Sequence, residues 1–461
     1  MKLSKNVLET FAKLLTELAR TYKTWKDDPI AFLQKEKKNS LFFSCINAPN
    51  DLKEEIRKKR DGKKPCIYQL HHTLYSQSLV RELADFLQMG TLNCLQYELN
   101  PTIEAVVYEY VNSDLDGFVR TIIHNEKLFD VQFKTLEKIV SRRVSIFKKE
   151  FAHFVYQFPV TIFNLGDEIQ LSKSIRLKAI HKNDLTEEQQ ELFKDTRSFD
   201  YNYYLEISVP VKCSEKLSLQ LAEKTRDATY NSLKLLATRL SPRAIPLVAS
   251  NDRSSHRFDF HKSGKDKANM SISTTHRFSS FQFDSKQFWQ AFNKGRTSEN
   301  NLIDTTFMIP ELLLTPNFSS QRVVDRMERA LLWYGDASTE PNYYQQIQKL
   351  VSSVESIVNY KENDLTKIFI KRVTHLHITR NGLSKSVEDE AEKLYKARSK
   401  IVHGSSIDER LDYCVIDFCS ETLIRAIYYI SQFGFEKKGF NKKLPKFLDD
   451  LPIHAKLQNE N

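Results

Sequence analysis

Glycine is scarce in this sequence, with 11 residues among 461. No G-x-x-x-x-G-K-[ST] or G-x-G-x-x-G segment is present, which excludes the common glycine-rich loops that cradle nucleotide phosphates. The G-x-S-x-G and H-E-x-x-H segments of serine hydrolases and zinc proteases are missing as well. The sequence therefore points to none of these enzyme classes.

Cysteines are few and unpaired in sequence. None of the six forms a C-x-x-C pair, the spacing that zinc ribbons require. We therefore expect reduced thiols in a cytoplasmic protein, without a metal ion or other cofactor. The adjacent His71 and His72 also make a poor metal site, because neighbouring side chains diverge.

Long apolar runs are absent too. The first 25 residues have apolar positions at helical spacing, but charged residues interrupt them, so no signal peptide is predicted. No stretch approaches the roughly 20 apolar residues that cross a bilayer, and we expect a soluble chain without membrane contact. The net charge of +10 is compatible with an anionic partner such as nucleic acid.

The patterning predicts an α+β protein in three parts. Residues 1–155 are expected to be mainly helical or mixed. Within residues 156–315, apolar residues recur at every second position in four segments, which predicts half-buried strands in an α+β domain. The segments are Val160–Phe163, Ile169–Leu171, Ile175–Leu177 and Leu205–Val211. Residues 316–461 carry five apolar stripes at helical spacing, which predict an all-helical bundle of about 140 residues.

The fourth predicted helix of that bundle carries an arginine where an apolar residue is expected. Ser386 is placed to cap its start and Gly404 to end it. Arg398 falls near the centre of the apolar stripe, where an uncompensated charge costs several kcal/mol. An ion pair with Glu355 on the second helix, or extension of the side chain to a domain surface, would also explain this arginine.

His403 follows Arg398 by five residues, or about 140° around an ideal helix. One straight helix therefore does not direct both side chains to the same point. A shared site requires unwinding near Gly404 or a second copy of the helix across a two-fold axis.

The segment Leu394-Tyr-Lys-Ala-Arg398-Ser-Lys-Ile-Val-His403-Gly404 resembles the R-x(4–6)-H segment of HEPN domains, in particular the Apea-like group. Glu328-Arg-Ala-Leu-Leu-Trp333-Tyr resembles the first helix of that family, and Leu350-Val-Ser-Ser-Val-Glu355-Ser-Ile its second. The resemblance covers about residues 316–435. Upstream, the strand-rich stretch 160–250 loosely resembles the region that precedes such domains.

The resemblance implies a metal-independent endoribonuclease with a composite site in a homodimer. His403 would act as general base or acid, and Arg398 would hold the scissile phosphate. Ser399 stands where many active members carry Asn, Asp or His, and Glu355 is a candidate supporting residue. Ser405 replaces a tyrosine that some members carry two residues after the histidine, so nucleotide modification there is not expected.

Basic residues are interleaved with aromatic ones over Asn251–Thr297, a composition that suits RNA because phosphates attract cations and bases stack on rings. The same alternation equally describes strands with one buried face. The candidate RNA-binding residues are Arg253, Arg257, Lys262, Arg277 and Lys400.

The resemblance also implies a role in anti-phage defence or a toxin-like system, with a phage or host trigger and with tRNA as a candidate substrate. Two alternatives stay open. One is a scaffold that keeps the helical bundle for dimerisation without cleavage. The other is a regulator that binds RNA through the upstream basic residues, with a strong dependence on salt.

Overall fold

A computed structural model gives the fold. It describes residues 3–30, 32, 34, 45–47, 49–54, 57–58, 69–124, 128–181, 187, 202–240, 247–249, 256–262, 268–274, 286–297, 301–316, 322–340, 342–360, 362–404, 410–437 and 440–453. The chain divides into two compact units, Met1–Ala152 with Lys212–Leu217, and His153–Val211 with Ser218–Asn461. The predicted segments 156–315 and 316–461 both belong mainly to the second unit, and the boundary between them stays a prediction.

Helices dominate the first unit, as the sequence predicts for this part of the chain. The apolar face of the first helix is buried, including Phe11, Leu14, Leu15 and Leu18, and Ser4 caps its start by accepting a hydrogen bond from the Val7 amide. The elements are α1 (Lys5–Asp27), β1 (Cys45–Asn47), β2 (Gln69–His71), α2 (Leu74–Thr91), α3 (Asn100–Ser113), α4 (Leu115–His124) and α5 (Phe133–Lys148). Strands β1 and β2 pair antiparallel.

The second unit opens with a seven-stranded antiparallel sheet in the order β4-β5-β6-β3-β8-β9, with β7 also paired to β3. Its elements are β3 (Val155–Ile162), β4 (Ile169–Ser172), β5 (Ile175–Ala179), β6 (Tyr203–Ser208), the helix α6 (Glu215–Leu240), β7 (Leu247–Ala249), β8 (His256–Lys262) and β9 (Ala268–Thr274). The alternating segments predicted as strands are confirmed, and so is the α+β class.

Strand β6 differs from the prediction of a half-buried strand. Five consecutive residues, Tyr203 to Ile207, are buried, so both faces of this strand are covered. One polar residue lies among them: Glu206 accepts hydrogen bonds from Arg176 and Gln157 on the neighbouring strands. Strand β6 lies between β5 and β3, so both of its edges are paired as well.

The rest of the second unit is helical. It comprises α7 (Lys286–Arg296), α8 (Leu302–Leu313), α9 (Val323–Ser338), α10 (Tyr343–Val358), α11 (Leu365–Leu376), α12 (Lys385–Val402), α13 (Val415–Phe433) and α14 (Phe440–Asp449). The apolar stripe of α10 is buried against α9, α12 and α13. The described residues after 316 form six helices, one more than the five predicted; the additional helix, α14, is short and contains Pro445.

No helix in the described part of the chain is long and apolar enough to cross a bilayer.

Candidate active site

Helix α12 carries the candidate residues, and its start differs from the prediction. The helix begins at Lys385 after Ser384, so Ser386 lies inside the first turn, where its hydroxyl donates to Glu390 Oε1 at 3.2 Å. Lys385 forms ion pairs with Glu388 and Asp389, three and four residues on, which favour the earlier start. The end is as predicted. Gly404 adopts a left-handed φ of +74°, a conformation that glycine adopts without strain.

Arg398 is half-buried and ion-paired. Its Nη2 lies 3.5 Å from Glu355 Oε2 on α10, and 30% of its side chain remains exposed. The guanidinium also lies 5.9 Å from the ring centroid of Tyr395, one turn earlier on α12. The ion pair considered from the sequence as an explanation of this arginine is therefore present.

Glu355 is itself held in place by hydrogen bonds. Its Oε1 accepts a hydrogen bond from Asn359 Nδ2 at 3.3 Å, and the Tyr395 hydroxyl donates to its carboxylate. Burial first, and then the charge of Glu355, raise the pKa of Tyr395 to about 12, so the phenol stays a protonated donor near neutral pH. The Arg398 guanidinium is thus held by a carboxylate that two further side chains orient.

His403 occupies the end of the same helix and faces solvent. Its amide donates to the Ser399 carbonyl at 3.1 Å, while its side chain is exposed and has no hydrogen bond or ion pair with the described residues. Within one copy the structure does not bring the imidazole into contact with Arg398 or Glu355. The predicted divergence of the two side chains agrees with this arrangement.

The neighbours of Arg398 on α12 differ in exposure. Ser399 is half-buried, and its carbonyl accepts the hydrogen bond from the His403 amide that closes the last turn of α12. Lys400 is exposed, and no acidic group in the described part of the chain pairs with it. Ser405 lies outside the described residues.

A second arginine cluster, which the sequence reasoning missed, surrounds the end of α10. Arg372 of α11 is 1% exposed and donates to the Val358 carbonyl, to Glu362 and to Asp449. Arg326 of α9 donates to the Asn359 carbonyl at 2.6 Å. Arg372 interrupts the apolar stripe of α11 as Arg398 interrupts that of α12, so the criterion that singled out Arg398 would also have found Arg372.

Only two of the upstream RNA-binding candidates lie among the described residues. Arg257 and Lys262 lie in β8, where their backbones pair with Ser273 and Ala268 of β9. Arg253 and Arg277 lie outside the described residues. Two of the interleaved aromatic residues, Phe288 and Trp289, are buried in α7, and Trp289 Nε1 donates to the Phe163 carbonyl at 2.8 Å. These two rings pack in the protein interior instead of offering a stacking surface.

Three buried histidines elsewhere in the chain have separate partners. His72 contacts Ser76 and Glu104, His375 contacts the Leu448 carbonyl, and His377 Nε2 lies 2.8 Å from Thr422 Oγ1. Over the described ranges, no cluster of three or more His, Cys, Asp or Glu residues is arranged to hold a metal ion.

His377 gives a pH prediction. Burial, followed by repulsion from Arg425, lowers its pKa to about 4, against the attraction of Glu421. Between that value and the unfolded value near 6.5, the unfolded chain binds the extra proton, so stability falls as pH falls. We expect the wild type to lose about 2 kcal/mol of unfolding free energy from this group between about pH 7.5 and about pH 5.

Urea denaturation at both pH values measures this loss in the wild type and in a His377→Gln variant. The variant keeps an amide donor for Thr422 but does not titrate, so its unfolding free energy should depend less on pH by that amount. Equal pH dependence of the two proteins would show that His377 does not titrate across the transition.

Comparison of the chain with protein-family models, curated protein sequences and solved structures gives no match.

Proposed function

We propose that the chain is a metal-independent endoribonuclease of HEPN type, with Arg398 and His403 as its catalytic residues. One observation carries the proposal. A partly exposed arginine, oriented by a carboxylate, lies five residues before an exposed histidine at the end of the same helix. These are the two residues that the sequence resemblance singles out.

The chemistry follows from the two residue types. His403 of one copy would accept the proton of a 2′-hydroxyl, whose oxygen then attacks the adjacent phosphorus. Arg398 would hold the phosphate and stabilise the added charge of the phosphorane with its planar guanidinium. The 5′-oxygen leaves and takes a proton from the second His403. The products are a 2′,3′-cyclic phosphate and a 5′-hydroxyl end, and the need for a 2′-hydroxyl restricts the substrate to RNA.

The site needs two copies of α12. His403 and Arg398 diverge by about 140° on one helix, and one copy shows no contact between them. A two-fold axis near the end of α12 would bring the motif of each copy to a shared phosphate. The homodimer through the C-terminal helices is therefore part of the proposal.

Glu355 and Ser399 have supporting roles in this proposal. Glu355 fixes the direction of the Arg398 guanidinium, and 30% of the Arg398 side chain stays exposed and accessible to a phosphate. The Ser399 hydroxyl would offer a hydrogen bond to the same phosphate, in place of the Asn, Asp or His of many active members. Lys400 is exposed beside them and would add positive charge for the RNA backbone.

The biological setting is inferred from the resemblance alone. An RNA-cleaving toxin or anti-phage defence protein, acting in the cytoplasm on tRNA or other cellular RNA after a phage or host trigger, agrees with the proposed chemistry.

A non-catalytic scaffold is the second candidate, and one observation favours it. The ion pair with Glu355 gives Arg398 a structural partner, so catalysis is not needed to explain why an arginine occupies the stripe. Arg372 is a fully buried example of such a structural arginine in the preceding helix, α11.

The test is cleavage of tRNA and total RNA by the purified chain in EDTA, with analysis of the product ends. We expect cleavage that EDTA does not reduce, with 2′,3′-cyclic phosphate and 5′-hydroxyl termini. Cleavage that requires a divalent ion, or products with 3′-hydroxyl ends, would contradict the mechanism. No cleavage of any RNA by the wild-type chain would favour the scaffold.

A further inference from the structure

Helix α5 of the first unit has an exposed side that carries only basic charges. These charged residues are Lys134, Lys138, Arg142, Lys148 and Lys149. The last of them follows the final residue of the helix and keeps a helical backbone conformation. All five positions fall within about 120° of the helix circumference, and no acidic residue lies between them on that arc. We call these five residues the α5 face.

Four of the five charges on the α5 face have no ion-pair partner among the residues that the structure describes. Arg142 forms an ion pair with Glu109 of α3, whereas no described carboxylate pairs with any of the four lysines. Glu137, the acidic residue of α5, instead accepts a hydrogen bond from the Leu3 amide. The four ammonium groups are therefore available to an anionic partner.

Other exposed helices of the chain offset their lysines with acidic neighbours. On α1, Lys5 pairs with Glu9. On α12, three lysines pair with carboxylates three or four residues away or on the following loop. The α5 face is therefore unusual within this chain, because its positive charges accumulate without such neighbours.

The lysines of the α5 face do not stabilise the helix that carries them. Lys134, Lys138 and Arg142 follow one another at a spacing of four residues, where like charges repel. Lys134 also lies in the first turn, where the helix dipole disfavours a positive charge and where no acidic residue offsets it. Helix stability thus gives no reason for this pattern, whereas binding of an anion does.

A nucleic-acid backbone fits the α5 face better than a membrane surface does. The apolar residues of α5 are buried in the core of the first unit, so they are not free to enter a bilayer. The α5 face offers cations, with the exposed Ser145 hydroxyl among them, and both groups contact phosphates in nucleic acids. It extends about 22 Å, which is the rise of about six phosphates along a stacked strand.

We propose that the α5 face binds the phosphate backbone of RNA, at a site separate from the candidate active site. The choice of RNA over DNA rests on the proposed function, whereas the binding itself involves neither Arg398 nor His403. Contacts to phosphates alone carry no sequence information. Binding should therefore be insensitive to base sequence and should weaken steeply as the salt concentration rises.

The test measures binding of a 2′-O-methyl RNA of about 20 nucleotides by fluorescence anisotropy, between about 50 and 200 mM salt. Methylation removes the nucleophile of the proposed reaction, so the probe is bound without being cleaved. The variant Lys134→Gln/Lys138→Gln/Lys149→Gln removes three contacts, and each contributes about 0.7 to the slope of log K against log salt. We expect that slope to fall by about 2, and the affinity at about 0.1 M salt to fall at least tenfold.

The matched control is Lys13→Gln/Lys23→Gln/Lys26→Gln, which removes the same net charge from exposed lysines of α1. We expect it to change the affinity by less than about twofold, because its lysines lie outside the α5 face. Circular dichroism melting checks that both triple variants keep their fold. A DNA of the same sequence should bind within about threefold of the RNA probe, since the contacts are to phosphates.

Four outcomes would overturn the proposal. The first is no binding of the probe up to about 100 µM protein, the weak limit of non-specific binding. The second is an equal loss in both triple variants, which would show a response to net charge alone. The third is binding of the RNA probe without binding of the DNA. The fourth is tighter binding of vesicles that contain anionic lipid, with that binding lost in the α5 variant.

Failure of this proposal and failure of the proposed ribonuclease are distinguishable, because the probe is not a substrate. Cleavage of tRNA by the wild type is measured separately. Cleavage without binding at the α5 face overturns only the binding site. Binding at the α5 face without cleavage of any RNA confirms the site and counts against the ribonuclease.

Discussion

Replacing His403 with alanine is expected to lower RNA cleavage by about 10²- to 10⁴-fold, the usual contribution of a general acid or base. The imidazole is the group that would accept and donate the protons in the proposed mechanism. Its side chain is exposed and contacts none of the residues that the structure describes. The fold should therefore survive the change, and the loss of rate should report chemistry alone.

The matched control for this variant is His153→Ala, because His153 is also exposed and lies far from α12 in the sequence. Cleavage rates are compared at equal protein concentration, with thermal melting and mass measured for each protein. Equal cleavage by the His403→Ala variant and the wild type would remove His403 from the mechanism. An equal loss in both histidine variants would point to an indirect effect.

Replacing Arg372 with alanine is expected to cost about 3 to 5 kcal/mol of unfolding free energy. This guanidinium is buried and holds Glu362, Asp449 and the Val358 carbonyl at once. Its loss leaves two neighbouring carboxylates without their shared cation and removes the donor of a helix-end carbonyl. The upper part of the range assumes that water does not reach them, and both carboxylates are about 30% exposed.

Chemical denaturation of the Arg372→Ala variant beside Arg380→Ala measures this cost. Arg380 lies in the turn after α11 and is exposed, so its removal should change the unfolding free energy by less than about 0.5 kcal/mol. A loss of less than about 1 kcal/mol for Arg372→Ala would show that the network contributes little net stability.

Periodicity predicted most of the elements of the second unit. The alternating segments became β3 to β6, and the stripe from Val387 to Ile401 became α12, ending at Gly404. These features depend on local spacing and on the left-handed conformation that glycine adopts, which a single sequence displays. The start of α12 was misplaced because Ser386 is a favourable capping residue, whereas ion pairs of Lys385 extend the helix beyond it.

Partners distant in sequence were harder to predict. Glu355 was proposed for Arg398 and is found there, but Tyr395 and Asn359 were not foreseen, because nothing local indicates which polar groups converge in a packed bundle. Arg372 shows the limit of the stripe argument. A charged residue in an apolar stripe indicates that another group offsets the cost of burying the charge. It does not indicate whether that contact serves the fold or a chemical reaction.

The two guanidinium groups at the end of α10 have a consequence for local motion. Helix ends normally fray because their last carbonyls lack partners. Here Arg372 and Arg326 donate to the carbonyls of Val358 and Asn359 from two other helices. The last turn of α10 should therefore open rarely and exchange its amide hydrogens slowly. Glu355 lies in that turn, so the carboxylate beside Arg398 is fixed to backbone that does not fray.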